Sequence, residues 1–358
     1  MTQTRTPMNA VVCHGPYDYR LEQREVPRVG PNELILKIVA CGICASDCKC
    51  RSGARMFWDG DEPWVKAPVV AGHEFFGEVV ELGEGAGEHF GIGLGERAIA
   101  EQIVPCGKCR YCTSGSYWMC EVHNIFGFQR IVADGGMAEY LKVSSQCRVH
   151  RIPETVSDDD AAFIEPMSCG IHAVNRGDIQ LDDVVVIAGA GAIGLAMVQV
   201  AHLKTPRKLV VVDMVDERLE LARRFGADMV LNPARDDVNA EVKAVTDGYG
   251  CDVYIEATGA PAGVTQGLEV IRKLGRFVEF SVFGKETSVD WSIIGDRKEL
   301  DVRGAHLAPY TYPVAIDLFA RGLITSKGIV THRLPLEDFG HGFDLADSTD
   351  SIKVVLKP

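Results

Sequence analysis

Apolar and polar positions follow two different rhythms along this chain. Over residues 1 to about 165, short apolar runs are broken by Gly, Pro and polar residues, as in Leu34-Ile35-Leu36-Lys37-Ile38-Val39-Ala40 and Gly77-Glu78-Val79-Val80-Glu81-Leu82-Gly83. Such runs predict strands and a β-rich lobe. From about residue 183 the rhythm becomes apolar strand, glycine turn, helix-period stretch and strand again. Strands are predicted at 184–188, 209–213, 229–231, 253–257 and 275–280, and helices at 193–202 and 216–225. That alternation builds a parallel sheet covered by helices. The closing segment, 308–358, holds a helix-like run at 314–321 and a strand-like run at 351–356, which suit either lobe.

At 358 residues the chain exceeds what one hydrophobic core holds, so two lobes are expected. With 46% hydrophobic and 24% charged residues it is globular, neither disordered nor collagen-like. Its 37 basic residues against 50 acidic ones give a net charge of −13. That field repels phosphate backbones, so a small molecule rather than nucleic acid is the expected partner. Residues 184–201 carry no charge and reach the length of a membrane span. Gly189, Gly191 and Gly194 interrupt the stretch and Gln199 lies near its end, so a buried strand turning into a helix is expected, and no membrane association. The first seven residues lack the apolar core of a secretory signal, and the final Val-Leu-Lys-Pro matches no lipidation or peroxisomal signal. The expected compartment is cytoplasmic.

Twelve cysteines without an export signal are expected to be mostly thiols. Cys106, Cys109, Cys112 and Cys120 form C-x2-C-x2-C-x7-C within 15 residues. Thiolates suit tetrahedral zinc, and loops such as Pro105-Cys106-Gly107-Lys108-Cys109 let backbone amides face the sulfurs. Four thiolates leave no position for water, which points to structural zinc. An iron–sulfur cluster also takes four cysteines, and chance clustering in a Cys-rich loop is the bland alternative.

The second lobe carries a dinucleotide fingerprint. A strand at 184–188 runs into Gly189-Ala190-Gly191-Ala192-Ile193-Gly194, which is G-x-G-x-x-G, and a helix follows. The first Gly permits the tight turn, the second lets a pyrophosphate approach the backbone, and the third, after Ile193, lets helix and strand pack closely. The phosphate then sits on the helix N-terminus. The next strand ends at Asp213, 19 residues after Gly194, a spacing at which a carboxylate accepts from the ribose hydroxyls. A carboxylate there favours NAD over NADP, although Arg218 softens that exclusion. The bland alternative is a glycine turn in an unrelated α/β sheet.

The first lobe offers a second, different metal constellation. Cys44, in Cys41-Gly42-Ile43-Cys44-Ala45-Ser46-Asp47, and His73 and Glu74, in Gly72-His73-Glu74, supply S, N and O donors, the mixed set of an open catalytic zinc. Glu165, in Glu165-Pro166-Met167-Ser168-Cys169, precedes the change of texture. Taken singly, such a histidine is more often a satisfied core residue, such a cysteine a small buried apolar group, and Glu165-Pro166 a solvated loop. Their joint occurrence carries the weight.

Cys44-x-Ser46-Asp47, Gly72-His73-Glu74, the four-cysteine lobe, Glu165-Pro166 and the glycine fingerprint together resemble the zinc-dependent medium-chain alcohol dehydrogenase superfamily, in order and over essentially the whole chain. The resemblance implies an α/β fold. A GroES-like β-rich catalytic domain would span 1–168, completed by 306–358, and a Rossmann doubly wound parallel-sheet domain for NAD would span 169–305. It implies an oxidoreductase with two zinc ions per chain, one catalytic and one structural, and a dimer or tetramer. Glu165 stands where simple alcohol dehydrogenases carry a cysteine ligand, so the chain is similar to the sorbitol, threonine and other polyol branches. Residues 44–49 and 51–58 resemble bacterial erythritol/threitol-type dehydrogenases of carbohydrate metabolism. In that family the hydroxyl matching Ser46 begins a proton relay, and the carboxylate matching Asp47 orients the metal-bound histidine. Many relatives carry histidine two residues after that aspartate; here Lys49 stands there, a poorer relay at neutral pH.

Two positive charges on zinc are cancelled by the Cys44 thiolate and one glutamate, and a second ligating glutamate would leave a poorer Lewis acid. The expectation is that Cys44 and His73 are fixed ligands while Glu74 and Glu165 share the remaining work. Residues 53–64 mix aromatics with carboxylates and either wall a polyol site or form a packed surface loop. The expected activity is oxidation of a small polyol hydroxyl with hydride transfer to NAD. Threonine or simple-alcohol oxidation is the near alternative. A non-catalytic zinc- and NAD-binding scaffold with Cys41, Cys48 and Cys50 as oxidisable thiols is the distant one.

Overall fold

The computed structural model describes residues 7–129 and 132–358; the stretch 1–6, where a leader would begin, lies outside them. The chain forms two compact units, one running to Glu165 and resuming over Tyr312–Pro358, the other comprising Pro166–Thr311. From Tyr312 on, the closing segment therefore belongs to the first unit.

The first unit is built on a mostly antiparallel sheet in which Val149–Arg151, Arg97–Ala100, Glu74–Leu82, Leu34–Ile43, Lys353–Lys357 and Val330–Pro335 lie side by side, with Tyr140–Val143 also pairing Leu34–Ile43. A second sheet of Asp18–Glu25, Pro7–Gly15 and Val69–Val70 packs its own small core of Met8, Ala10, Val12, Val70 and Ala138. The C-terminal strand is a central member. Val354, Val355 and Leu356 face Ile43, Gly42 and Cys41, while Gly42 in turn faces Glu74 on the other side. Three segments distant in sequence thus meet at one level of the sheet.

The helix Phe339–Ala346 precedes that strand. Its Phe343 is fully buried, meets the Tyr19 ring edge-on at 5.4 Å and lies under the Arg51 guanidinium at 5.2 Å. Through Arg51 it braces the helix Ala45–Arg51.

The second unit is a six-stranded parallel sheet in the order Met229–Leu231, Lys208–Val212, Val184–Ala188, Cys251–Glu256, Ile271–Glu279, Asp301–Gly304. Every residue of Val184–Ala188 is buried, as a central strand covered on both faces requires. The uncharged stretch at 184–201 resolves into this strand and the helix Ala192–Leu203. No helix among the described residues is long and apolar enough to cross a membrane.

Glu165-Pro166, which reads locally as a loop, opens the helix Ile164–Gly177. Proline fits there because the first turn of a helix has no partner for that N–H. The helices Val238–Ala244 and Pro261–Val270 also lie outside the predicted set. The first is seven residues long and the second carries Gly263 and Gly267, so neither shows a clear 3.6-residue apolar period.

Truncating Phe343 to alanine removes a fully buried ring. Phe343→Ala is expected to lower stability by about 3–5 kcal/mol in denaturant unfolding; a loss below about 1 kcal/mol would show that the brace is unimportant.

Candidate metal centres and dinucleotide loop

The strand Leu34–Ile43 ends one residue before Cys44, which caps the helix Ala45–Arg51. The backbone N–H of Cys44 donates to Asp47 Oδ2 at 2.9 Å, so the carboxylate sets the angle at which the helix leaves the strand. Gly72 has a φ of +94°, and a β-carbon on it would stand 2.6 Å from Cys41 Sγ. Only glycine turns the chain here to present His73 and start the strand Glu74–Leu82. The ligand atoms of Cys44, His73 and Glu74 lie within 4.8 Å of one another, bringing sulfur, imidazole and carboxylate together. That mixed donor set fits zinc with a position left for a further ligand.

Asp47 serves this cluster twice. Its Oδ1 lies 3.3 Å from His73 Nδ1, close enough to interact as a charge but not aligned as a hydrogen bond. With Nδ1 turned to Asp47, Nε2 is the ring atom that could serve a metal. Burial opposes an imidazolium at His73, yet the Asp47 carboxylate and the Cys44 sulfur outweigh it and hold the ring above the usual histidine range. Ser46 is half-buried in the first turn of the same helix, and Lys49 one turn later is also half-buried.

A residue that the sequence did not announce controls Glu74. Lys353 Nζ lies 2.8 Å from Glu74 Oε1 and 2.7 Å from Oε2, and also donates to the Ile43 carbonyl at 3.0 Å. The pair is buried, with 5% of the lysine side chain and none of the glutamate exposed. Burial works against the ammonium, but Glu74 outweighs it and holds Lys353 above the ordinary lysine range. A β-carbon on Gly42 would stand 2.2 Å from Glu74 Oε2, so glycine is what makes room for this carboxylate. The charge balance changes accordingly. Lys353 offsets Glu74, so a dication would be matched by Cys44 and the remaining glutamate, Glu165.

Glu165 lies outside the three-residue cluster but belongs to the same unit, is 4% exposed and adds to the field that favours the Lys353 ammonium. Its Oε1 accepts from Gln102 Nε2 at 2.7 Å. On another side, the Phe128 ring lies 5.5 Å from the His73 imidazole and contacts Phe57 at 5.6 Å and Trp64 at 5.1 Å. The aromatic loop at 53–64 is thereby joined to a candidate ligand through Phe128. Lys353, Gln102 and Phe128 escaped sequence reasoning. Lys353 reads as a surface residue of a β-strand, and the other two sit in no spaced motif.

Cys106, Cys109, Cys112 and Cys120 form the second cluster, their sulfurs all within 4.8 Å. The Cys106 N–H points at Cys120 Sγ at 3.3 Å, and the Cys109 N–H at Cys106 Sγ at 3.4 Å. The backbone amides of Cys112 and Glu121 bring the Cys109 thiol down to about 6, whereas desolvation holds Cys112 up to about 12. Four sulfurs this close resist common ionisation unless a cation sits among them, which fits a closed zinc site.

In the second unit, Gly189 has a φ of +102°, and a β-carbon on it would meet the Ala257 carbonyl at 2.6 Å. A β-carbon on Gly194 would stand 1.9 Å from the Gly189 carbonyl, so the helix packs directly on the turn. The position beside Gly191 is open, the space a pyrophosphate needs, and Ile193 continues the first turn of Ala192–Leu203. Asp213 accepts from the Ala190 N–H at 2.6 Å and the Val215 N–H at 2.8 Å, which fixes its carboxylate at the strand end beside the loop. Arg218 follows, half-buried, in the helix Asp216–Arg224.

Residues 30–154 match the alcohol dehydrogenase GroES-like domain, and residues 192–321 match the zinc-binding dehydrogenase domain. The chain belongs to the zinc-binding alcohol dehydrogenase family, in its polyol dehydrogenase branch, and is an enzyme of the oxidoreductase class. It is 48% identical to the erythritol/L-threitol dehydrogenase of Mycolicibacterium smegmatis over 99% of each chain. It is 33% identical to a sorbitol dehydrogenase of Halalkalibacterium halodurans over 96% of this chain and 97% of that one. A crystal structure of an alcohol dehydrogenase from Escherichia coli in complex with NADH is similar with a TM-score of 0.85 and 29% identity, over 99% of this chain and 100% of that one.

Two outcomes test these sites. Lys353→Met leaves Glu74 buried without a counter-charge and is expected to cost about 3–5 kcal/mol in denaturant unfolding, with part regained on adding Glu74→Gln; equal losses with and without the second change would refute the pairing. Cys106→Ser is expected to reduce bound zinc from two ions per chain to one by elemental analysis, and unchanged metal content would refute the four-sulfur site.

Proposed function

We propose that this enzyme oxidises a hydroxyl of a small polyol of the erythritol/threitol class to a carbonyl, with NAD as hydride acceptor. The observation that carries the reading is the Cys44, His73 and Glu74 cluster with its buried Lys353 partner. The substrate class draws support from the erythritol/L-threitol relative and the sorbitol relative. Zinc supplies Lewis acidity toward the substrate hydroxyl, and NAD supplies the hydride acceptor.

The chain's own residues do the rest. Cys44 and His73 are the permanent ligands. Asp47 holds the His73 ring by its Nδ1 side. Lys353 occupies both oxygens of Glu74 and offsets its charge, so Glu165 supplies the second negative charge near the metal. The Ser46 hydroxyl, half-buried in the first turn of the helix Ala45–Arg51, would take the substrate proton while giving its own up to solvent. Gly189, Gly191, Ile193 and Gly194 bind the pyrophosphate, and Asp213, with Arg218 near it, receives the adenosine ribose. Repulsion between Asp213 and a 2′-phosphate makes NAD the preferred cofactor.

The reading includes a homo-oligomer in the cytoplasm. None of the twelve cysteines is paired in a disulfide, and five of them fall in the two metal clusters, which agrees with a reducing compartment. The strand Asp301–Gly304 is an edge strand of its sheet, with Val302 47% exposed. Pairing of this strand with its twofold-related copy about Val302 would set Asp301 against Arg303, which supports association of like chains.

The test is a panel of tetritols, pentitols, hexitols, threonine and simple alcohols, followed by NADH absorbance with NAD or NADP, with and without a chelator. Tetritols with NAD are expected to give the highest kcat/KM. Cys44→Ser and His73→Ala are each expected to lower it by at least about 1,000-fold, because the lost Lewis acidity is worth several kcal/mol. Silence across the panel with zinc loaded, or turnover undiminished in both variants, would overturn the reading.

A further inference from the structure

A buried chain of hydrogen bonds with a fixed direction reaches Glu165. The backbone N–H of Gln102 donates to the Tyr312 hydroxyl oxygen at 3.2 Å, the Tyr312 O–H donates to Gln102 Oε1 at 2.6 Å, and Gln102 Nε2 donates to Glu165 Oε1 at 2.7 Å. All three residues are buried, with Gln102 2%, Tyr312 0% and Glu165 4% exposed. A peptide N–H can only donate, so the hydroxyl accepts there and sends its proton to the amide oxygen. The NH2 end of the amide is thereby turned toward the carboxylate. The reverse orientation would set a carbonyl oxygen against a carboxylate at the same short distance. The Tyr312 ring is itself held, stacked on His150 at 5.6 Å, and His150 is bonded to Glu101 at 2.9 Å.

Glu165 is the last residue of the first unit before the chain leaves it, and Tyr312 is the first on its return. Gln102 sits between them, just beyond the strand Arg97–Ala100, so one side chain ties both crossing points to the sheet.

We infer that Gln102, oriented by Tyr312, is a positioning residue that holds the Glu165 carboxylate in one setting beside the metal cluster, by taking Oε1 as a hydrogen-bond acceptor. This rests on the reading that Glu165 contributes to the metal environment. Gln102 itself touches neither substrate nor cofactor in this role. Tyr312 acts on the carboxylate through Gln102.

The experiment uses the full-length protein with cobalt(II) in place of catalytic zinc, read by its visible ligand-field spectrum, by the rate of metal loss to a chelator, and by polyol turnover with NAD. Gln102→Met, which keeps length but removes the donor, is expected to shift the cobalt bands and speed metal loss or lower kcat by about 10- to 100-fold, as losses of such supporting bonds do. The KM for NAD is expected to stay unchanged. Tyr312→Phe is expected to give a smaller change in the same direction, and the double variant to be no worse than Gln102→Met alone, because the two act in series.

A folded Gln102→Met protein with the parental spectrum and rates, or additive losses in the double variant, would overturn the inference. Should Gln102→Met fail to fold, the spectrum of Tyr312→Phe decides in the same way. Glu165→Gln separates the two levels. If it leaves the spectrum, metal loss and turnover unchanged, the metal role of Glu165 fails and the inference falls with it. If it changes them and Gln102→Met does not, only the positioning role fails.

Discussion

The Lys353–Glu74 ion pair is the constraint from which the rest of the catalytic unit follows. Two unlike charges out of water are costly unless each finds every partner it needs, and here the ammonium has both carboxylate oxygens and the Ile43 carbonyl. Those contacts exist only when the C-terminal strand pairs with Leu34–Ile43 in the observed register and Gly42 leaves room for the carboxylate. A shift of one residue would turn Lys353 to the other face of the sheet and leave Glu74 unpaired. The ion pair therefore makes correct assembly of the first unit a condition for a correctly charged metal site.

The same pair resolves a question of charge. Counted along the sequence, Cys44, Glu74 and Glu165 give one negative charge more than a zinc ion balances. Lys353 offsets that excess, so Glu74 and its partner together carry no net charge within the candidate metal cluster. Glu165 comes from a different element, the helix Ile164–Gly177, and its Oε1 accepts from Gln102. Glu74 is thus gripped at both oxygens by an ammonium while Glu165 meets the amide of Gln102, so the two carboxylates sit in different surroundings.

Legibility in the sequence varied with the distance between the participating residues. The four-cysteine lobe and the glycine loop were readable because each keeps its chemistry within one short segment, where spacing alone dictates that sulfurs converge or that backbone amides are exposed. The parallel sheet was readable because a strand buried on both faces is written as an unbroken apolar run, as at Val184–Ala188. The helix Ile164–Gly177 was not, since proline so close to its start reads locally as a break. Lys353 was hidden for a related reason: on a strand, a lysine beside apolar residues is ordinarily assigned to water, and only the neighbouring strand reveals that its face is closed.

What the amino-acid order determined by itself was the chemistry available: a sulfur, an imidazole and two carboxylates in a recognisable order, a closed set of four thiols, and a turn that only glycines could make. What tertiary structure decided was how those charges are shared. Hydrogen bonds and ion pairs act over about 3 Å, and residues 42, 74 and 353, or 102, 165 and 312, come within that range only after strands far apart in the chain have paired.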